Sequence, residues 1–183
     1  MNTTLSQLLK QSLAIAAAVA LLACTDEVPV APRPFGPIKP QLATLPATQT
    51  DGMITTLQQV TARYHDLNVA FDDGFELLHP CENRPGEGPV GIVYFNRARL
   101  MDGIVDPNSP DALIYEPGSN GRPRLVGVEF AVVDVGQEPP KFLGATFQRE
   151  EEFGVFALHV WVWRNNPEGL FAETNPRVSC GEV

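Results

Sequence analysis

Two residues able to transfer a proton lie in the middle of apolar segments that alternate as β-strands do. Glu129 is the charged residue of "VGVEFAVV" (126–133), and His159 lies within "VFALHVWVW" (155–163). Glutamate is rarely buried unless it is paired. If the two strands are neighbours, Glu129 and His159 share one face. There they can act as a base and its orienting carboxylate, supply two metal ligands, or form a buried ion pair.

Strand alternation also predicts which residues accompany this pair. It puts Trp161 and Trp163 on the side of His159, where they either pack or line a groove for a ligand. We expect Asn96 or Asn166 to reach the same place if the site is an open pocket. The opposite sides are apolar and are predicted to form the core: Val126, Val128, Phe130 and Val132 on one strand, and Phe156, Leu158, Val160 and Val162 on the other.

A further histidine, His65, lies beside the apolar stripe of a predicted helix, with Asp72 and Glu76 on the same flank. The two acidic residues are typical of a solvated helix face, and only His65 and His159 are candidate metal ligands. The sequence contains no H-E-x-x-H, C-x-x-C or G-x-S-x-G motif and no glycine-rich phosphate loop. We therefore predict no cofactor, and the sequence leaves open whether the protein is an enzyme.

The first 23 residues are typical of a secretory signal peptide. The apolar run "SLAIAAAVALLA" (12–23) follows the basic Lys10 and is too short to cross a bilayer core of about 30 Å. The next residue is a cysteine, and "LLAC" (21–24) resembles the bacterial lipobox. That resemblance implies cleavage after Ala23, a diacylglycerol thioether on Cys24 and acylation of the new amino terminus. The alternatives are an ordinary signal peptide with a coincidental cysteine, or a buried membrane helix.

The number of cysteines in the chain is consistent with export of the protein from the cytosol. The chain has three cysteines, and lipidation of Cys24 leaves Cys81 and Cys180 as an even pair. Disulfides form and persist outside the reducing cytosol, so we expect these two to be bridged. A metal-binding pair or two free thiols are the alternatives.

The charge balance excludes two classes of partner. The net charge is −9, and no basic cluster interrupts it, so binding to nucleic acid or to anionic lipid headgroups is not expected. Residues 25–50 contain six prolines and no apolar period, which is typical of an extended, semi-rigid spacer. The predicted organisation is a signal peptide (1–23), a lipidated cysteine with a linker (24–50) and one globular domain (51–183).

The elements that must position Glu129 and His159 follow from periodicity and turn chemistry. Strands are predicted at 89–95, 112–116, 124–134 and 153–164, and "PGSNGRP" (117–123) makes the middle two a hairpin. One long helix is predicted from apolar residues three or four apart: Ile54, Leu57, Val60, Tyr64, Leu67, Phe71, Phe75 and Leu78. This order favours an α+β fold, with the helix on an antiparallel sheet of about four strands. A cystatin- or NTF2-like roll is one form of it, and a β-sandwich with an appended helix is the alternative.

Several blocks resemble a family of secreted or lipid-anchored bacterial proteins that has no established biochemical function. The blocks are "VTARYHDL" (60–67), "GIVYFN" (91–96), "PDALIYEP" (110–117), "RLVGVEF" (124–130) and "ALHVWVWRNNPEGLFAETNPRVSC" (157–180). The resemblance implies a single globular unit with a terminal cysteine bridge. The chain departs from the family pattern at Val93, Val155 and Phe156, where relatives carry histidine or a histidine-tyrosine pair, and this departure weighs against a metal site.

These observations favour a lipid-anchored protein of the cell envelope that serves as a binding or structural module. The anchor would hold it on the outer leaflet of the inner membrane or on the outer membrane, with the domain outside the cytoplasm. Its ligand would be a small molecule, a glycan or an envelope protein, bound at the acidic surface and the face with His159, Trp161 and Trp163. The rival hypothesis is a metal-dependent or acid/base enzyme centred on His159 and Glu129.

Overall fold

A computed structural model describes residues 47–119 and 121–181, and in it the amphipathic segment is not one helix. It forms three short pieces: α1 (Ala47–Thr61), a 3-10 turn (Ala62–His65) and α2 (Leu67–Asp72). The side chain of Asp66 accepts a hydrogen bond from the Asn68 N–H and so caps the start of α2. Gly74, with a φ of +85°, then turns the chain into strand β1 (Phe75–Arg84). The prediction of one long helix is wrong.

The other strands follow in chain order. They are β2 (Gly88–Asn96), β3 (Ala112–Glu116), β4 (Arg124–Val133), β5 (Lys141–Phe142), β6 (Ala145–Thr146), β7 (Gln148–Glu150) and β8 (Val155–Val160), with the short helix α3 (Arg97–Leu100) after β2. Strands β5 and β6 form a separate hairpin. The remaining six form one antiparallel sheet, in the order β1, β2, β3, β4, β8, β7, that curls into a half-barrel.

The sheet confirms the hairpin predicted from the sequence and corrects the fold class. Strands β3 and β4 form the expected hairpin, and β4 lies beside β8. A sheet of about four strands is wrong, because β1 and β7 extend it at the two edges. The half-barrel with short helices therefore replaces the long helix on four strands, the cystatin- or NTF2-like roll and the β-sandwich alternative.

The two faces of the sheet are both covered. The helix face packs against α1, the 3-10 turn and the loop after β4. Its buried residues include Leu57, Tyr64, Tyr115, Val128, Phe130, Phe147, Phe156, Leu158 and Val160. The opposite side, here called the inner face, contacts the C-terminal segment. Its buried apolar residues include Val90, Val93, Ala112, Ile114, Val126, Trp161 and Val178, together with Ala131, Val155 and Ala157.

Two long-range links hold the curl. Cys81 in β1 and Cys180 are joined by a disulfide with their Cα atoms 5.3 Å apart, so the cysteine pairing expected from the sequence is confirmed. Arg84 in β1 also forms an ion pair with Glu150 in β7, with a nitrogen–oxygen distance of 3.2 Å. Because β1 and β7 are the two edge strands, this pair draws the edges together around the inner face.

Candidate functional site

A cavity of about 200 Å³ lies on the inner face of the sheet. Its apolar lining consists of Leu78, Phe95, Leu100, Ala112, Ala131, Phe153 and Val155. Its ionisable lining consists of His79, Arg84, Asp111, Glu129, Glu150 and His159. The alanines leave the space into which longer side chains would otherwise extend. The cavity therefore brings a dense set of charges next to aromatic and aliphatic carbon.

Glu129 and His159 face each other across β4 and β8, because these strands are neighbours, which is the condition that the sequence left open. They are directly paired in the register, and Glu129 Oε2 lies 3.4 Å from His159 Nε2. The other ring nitrogen, Nδ1, lies 2.7 Å from the Glu173 carbonyl oxygen, which can only accept, so Nδ1 donates. Burial disfavours the charged imidazole, but Glu129 and Glu173 together outweigh it, and the pKa of His159 is raised. The arrangement is a buried ion pair in a cavity wall.

Asp111, which sequence reasoning missed, lies in the same wall. It directly precedes β3, and its neighbour Ala112 is the register partner of Glu129. One carboxylate oxygen, Oδ2, accepts a hydrogen bond from the Ala131 N–H at 3.0 Å, whereas Oδ1 has no partner among the described residues. Only 2% of the residue is exposed. Burial, reinforced by the nearby charges of Asp102 and Glu129, raises its pKa to about 7.

The arginine in the lining is already saturated with carboxylates. Arg84 lies 3.2 Å from both Glu82 and Glu150 and 3.4 Å from Glu173. Burial raises the pKa of Glu173 as well. Negative groups thus outnumber positive ones around the cavity. Burial is the main cause of the raised pKa values of Asp111 and Glu173, and neighbouring carboxylates add to it.

The two candidate asparagines do not join the pair. The Asn96 side chain accepts hydrogen bonds from the Ala98 and Arg99 N–H groups and donates to the Asp73 carbonyl oxygen. It lines a separate depression beside α3. The Asn166 side chain donates to the Thr174 carbonyl oxygen at 2.8 Å. Both residues hold turns in place, so the expected convergence with Glu129 and His159 does not occur.

The two tryptophans lie on opposite faces, so the predicted shared groove does not form. Trp161 is buried on the inner face, where its indole N–H donates to the Ala172 carbonyl oxygen. Trp163 packs against the helix face and donates to the Thr61 hydroxyl. The alternation fails because β8 ends at Val160, after which a tight turn places the N–H of residue 162 within 2.9 Å of the Val160 carbonyl oxygen.

Strand alternation also fails within β4. Ile114 pairs with Gly127, but the next residue, Tyr115, pairs with Leu125, which leaves Val126 as the extra residue of a β-bulge. Val126 consequently lies on the inner face and Leu125 on the helix face, the reverse of the prediction.

His65 contacts Trp163 edge to face, with ring centroids 4.4 Å apart, and partial desolvation lowers its pKa. Asp72 and Glu76 are exposed, as expected of a solvated flank. Among residues 47–119 and 121–181, no three His, Cys, Asp or Glu side chains are grouped so that they could hold a metal ion.

The predicted lipidation residue, Cys24, the signal peptide and nearly all of the predicted linker lie outside the described residues. Within the part of the chain that the structure describes, no helix has the length and hydropathy needed to cross a membrane.

No protein-family model matches the sequence, and no solved structure matches the fold.

Proposed function

We propose that this protein is a lipid-anchored module of the cell envelope that binds a small molecule in its inner-face cavity. Anchoring rests on the sequence: a short apolar run, the lipobox-like "LLAC" and Cys24 as the residue that would carry the lipid. The Cys81–Cys180 bridge supports an oxidising compartment, since such bonds are rare in the cytosol.

The binding role rests on one observation: a buried ion pair forms part of the wall of an unfilled cavity. The Glu129–His159 pair lines a space of about 200 Å³. A buried ion pair is weak evidence for a stabilising role. Replacing such a pair with well-packed apolar residues often leaves the stability of a protein unchanged or increases it. A role in ligand recognition explains both the pair and the alanines beside it.

The size of the cavity favours a small molecule over a glycan or a protein. An apolar cavity of about 150 Å³ accommodates benzene, and this one is only somewhat larger at about 200 Å³. A glycan chain or a protein segment would contact the outer surface instead.

The enzymatic alternative has less support. Both ring nitrogens of His159 are occupied, Nδ1 by the Glu173 carbonyl oxygen and Nε2 by Glu129. Neither nitrogen is free to take a proton from a substrate or to bind a metal, unless the pair first separates.

A neutral aromatic probe tests the cavity. We expect benzyl alcohol to shift the methyl resonances of Val155, a lining residue, when it is titrated into the full-length protein in phosphatidylcholine nanodiscs. Ala131→Leu, which fills the space, should weaken the binding at least about tenfold. Val155→Phe, followed through the Ala131 methyl group, is a second filled variant if the first disturbs folding.

The lipid of the nanodisc also takes up the probe. The two variants with a filled cavity control for this uptake, because they are measured in the same lipid. Equal shifts in wild type and in both filled variants would assign the signal to lipid and reject the cavity as a binding site.

The anchor has its own test. Intact-mass spectrometry of the protein from native membranes should find residue 24 as the amino terminus, carrying a diacylglycerol and an acyl group. Cys24→Ser should remove the lipid mass and leave an uncleaved precursor. An unmodified wild-type precursor would overturn the proposal.

A further inference from the structure

We infer that the inner-face cavity selects a protonated amine joined to a small apolar or aromatic group. This inference rests on the proposed binding function and specifies its ligand class. Three observations carry it: an unpartnered carboxylate oxygen, an excess of acidic groups, and an aromatic wall of matching size.

The first observation is that Asp111 Oδ1 is a buried hydrogen-bond acceptor without a donor. The residue is 98% buried, lines the cavity, and has no partner for Oδ1 among the described residues, while its Oδ2 is held by the Ala131 N–H. Leaving a buried carboxylate oxygen unpaired is unfavourable, because its hydration is lost without replacement. An ammonium group in the cavity would supply the missing hydrogen bond and add positive charge beside the carboxylate.

The surrounding charges favour a cation over an anion. Arg84 makes ion pairs with Glu82, Glu150 and Glu173, so its guanidinium is not free to receive a ligand carboxylate. His159 is likewise engaged with Glu129.

Two other basic groups are nearby and engaged as well. Arg99, whose charge acts on Asp111, donates to the Pro110 carbonyl oxygen and the Tyr64 hydroxyl, and His79 lies 3.6 Å from Glu82. An anion would therefore meet Asp111 with no uncommitted cation among these groups, whereas an ammonium group would reduce the local excess of negative charge.

A free metal ion suits the acidic cavity less well than an ammonium group does. Among the described residues no group of three metal-ligating side chains exists, so a divalent ion would lack a coordination shell. An ammonium group needs only one or two acceptors, and the apolar remainder of such a ligand has Phe95, Leu100 and Phe153 to contact.

Three probes of one shape separate the possibilities: benzylammonium, benzyl alcohol and benzoate. Each is titrated at pH 7.5 into the full-length protein in phosphatidylcholine nanodiscs, with the Val155 methyl resonances as the readout and Ala131→Leu as the control. We expect benzylammonium to bind at least about tenfold tighter than benzyl alcohol, as is typical of a charge-assisted hydrogen bond, and benzoate to bind weakest.

Asp111→Asn gives the matched variant, because its amide oxygen still accepts from the Ala131 N–H while the charge is lost. In this variant benzylammonium should bind no tighter than benzyl alcohol. If the variant does not fold, the ratio of the two affinities in the wild type still tests the inference.

The outcomes distinguish the two proposals. Equal affinities for benzylammonium and benzyl alcohol in the wild type, or tighter binding of benzoate, would reject the amine preference and leave the cavity as a binding site. No binding of any probe would overturn both. An amine preference that survives in Asp111→Asn would show that Asp111 does not select the ligand.

Discussion

At the scale of single residues, the inner face holds protons more tightly than the same groups do in an unfolded chain. The pKa of Asp111 rises from 3.8 to about 7 through burial, and that of His159 is raised because Glu129 and Glu173 together outweigh the effect of burial. Both shifts act in the same direction on stability. Since the folded state binds more protons than the unfolded state, the free energy of unfolding falls as the pH rises through these values.

The first prediction concerns Asp111. In the wild type, the contribution of Asp111 to the free energy of unfolding falls between about pH 4 and pH 7. Asp111→Asn should lack that fall because the amide does not titrate. Relative to wild type, the variant should gain up to about 4 kcal/mol between pH 4 and pH 8. Urea unfolding across this range measures the difference, and Asp72→Asn, at an exposed position, is the control. Parallel pH profiles for wild type and Asp111→Asn would contradict the shifted pKa.

The second prediction concerns the ion pair. Glu129→Gln keeps the shape of the side chain but removes the charge. Burial is then opposed only by Glu173, so the pKa of His159 should fall below its wild-type value. NMR titration of the imidazole resonances measures this directly. His65, on the opposite face of the sheet, should titrate as in the wild type. A His159 pKa that stays at its wild-type value in Glu129→Gln would show that another group stabilises the imidazolium.

At the scale of elements, close approach of neighbouring strands decides where glycine is required. Gly91 in β2 has a φ of +107°, and a Cβ atom there would lie 2.5 Å from the Tyr115 carbonyl oxygen in β3. A side chain at this position meets backbone rather than a movable group, so β2 and β3 would have to separate locally. Gly52 in α1 shows the opposite situation, with nothing within 4 Å of its added Cβ.

The third prediction compares these two glycines. Gly91→Ala should lower the free energy of unfolding by at least about 2 kcal/mol, through backbone strain and the clash with Tyr115. Gly52→Ala should raise it by up to about 1 kcal/mol, since alanine is the better helix former. Chemical denaturation of both variants under one set of conditions checks the contrast. Equal stability of Gly91→Ala and wild type would mean that β2 does not approach β3 as described.

At the scale of the whole molecule, the Cys81–Cys180 bridge ties β1 to the C-terminal segment that covers the inner face. The two cysteines are separated by 99 residues, a long loop for one bond to close. The same segment supplies the Glu173 carbonyl oxygen that orients His159. The bridge therefore supports both the stability of the domain and the wall of the cavity.

The fourth prediction follows from this link. The variant with both Cys81→Ser and Cys180→Ser should lose about 4–5 kcal/mol of unfolding free energy in the chain-entropy model. It should also bind benzyl alcohol more weakly, because the C-terminal segment is less firmly held. A reducing agent should destabilise the wild type but not the double variant. Two free thiols in the native wild type, found by alkylation and mass spectrometry, would contradict the bridge.

Local periodicity by itself predicted four strands of this protein and the β3–β4 hairpin. It also put Glu129 and His159 on one face, on the condition that their strands are neighbours. Alternation is a property of nearest neighbours along the chain, so it can be seen wherever a strand is regular. The number of cysteines likewise predicted the bridge, because lipidation was the expected role of Cys24 and left two cysteines to pair. The predicted lipidation of Cys24 is of the same local kind and stays a prediction.

Only the tertiary structure decided the rest. Phe75 and Leu78 fit a helical stripe by spacing, yet the positive φ of Gly74 and pairing with β2 place them in a strand. The tight turn after Val160 sends Trp163 to Thr61, about a hundred residues earlier in the chain. Asp111 shows no local sign of burial, since its surroundings come from β4 and from the curl of the sheet. The physical reason is the same each time: contacts between residues distant in sequence set burial, charge and register, and these contacts leave no period in the chain.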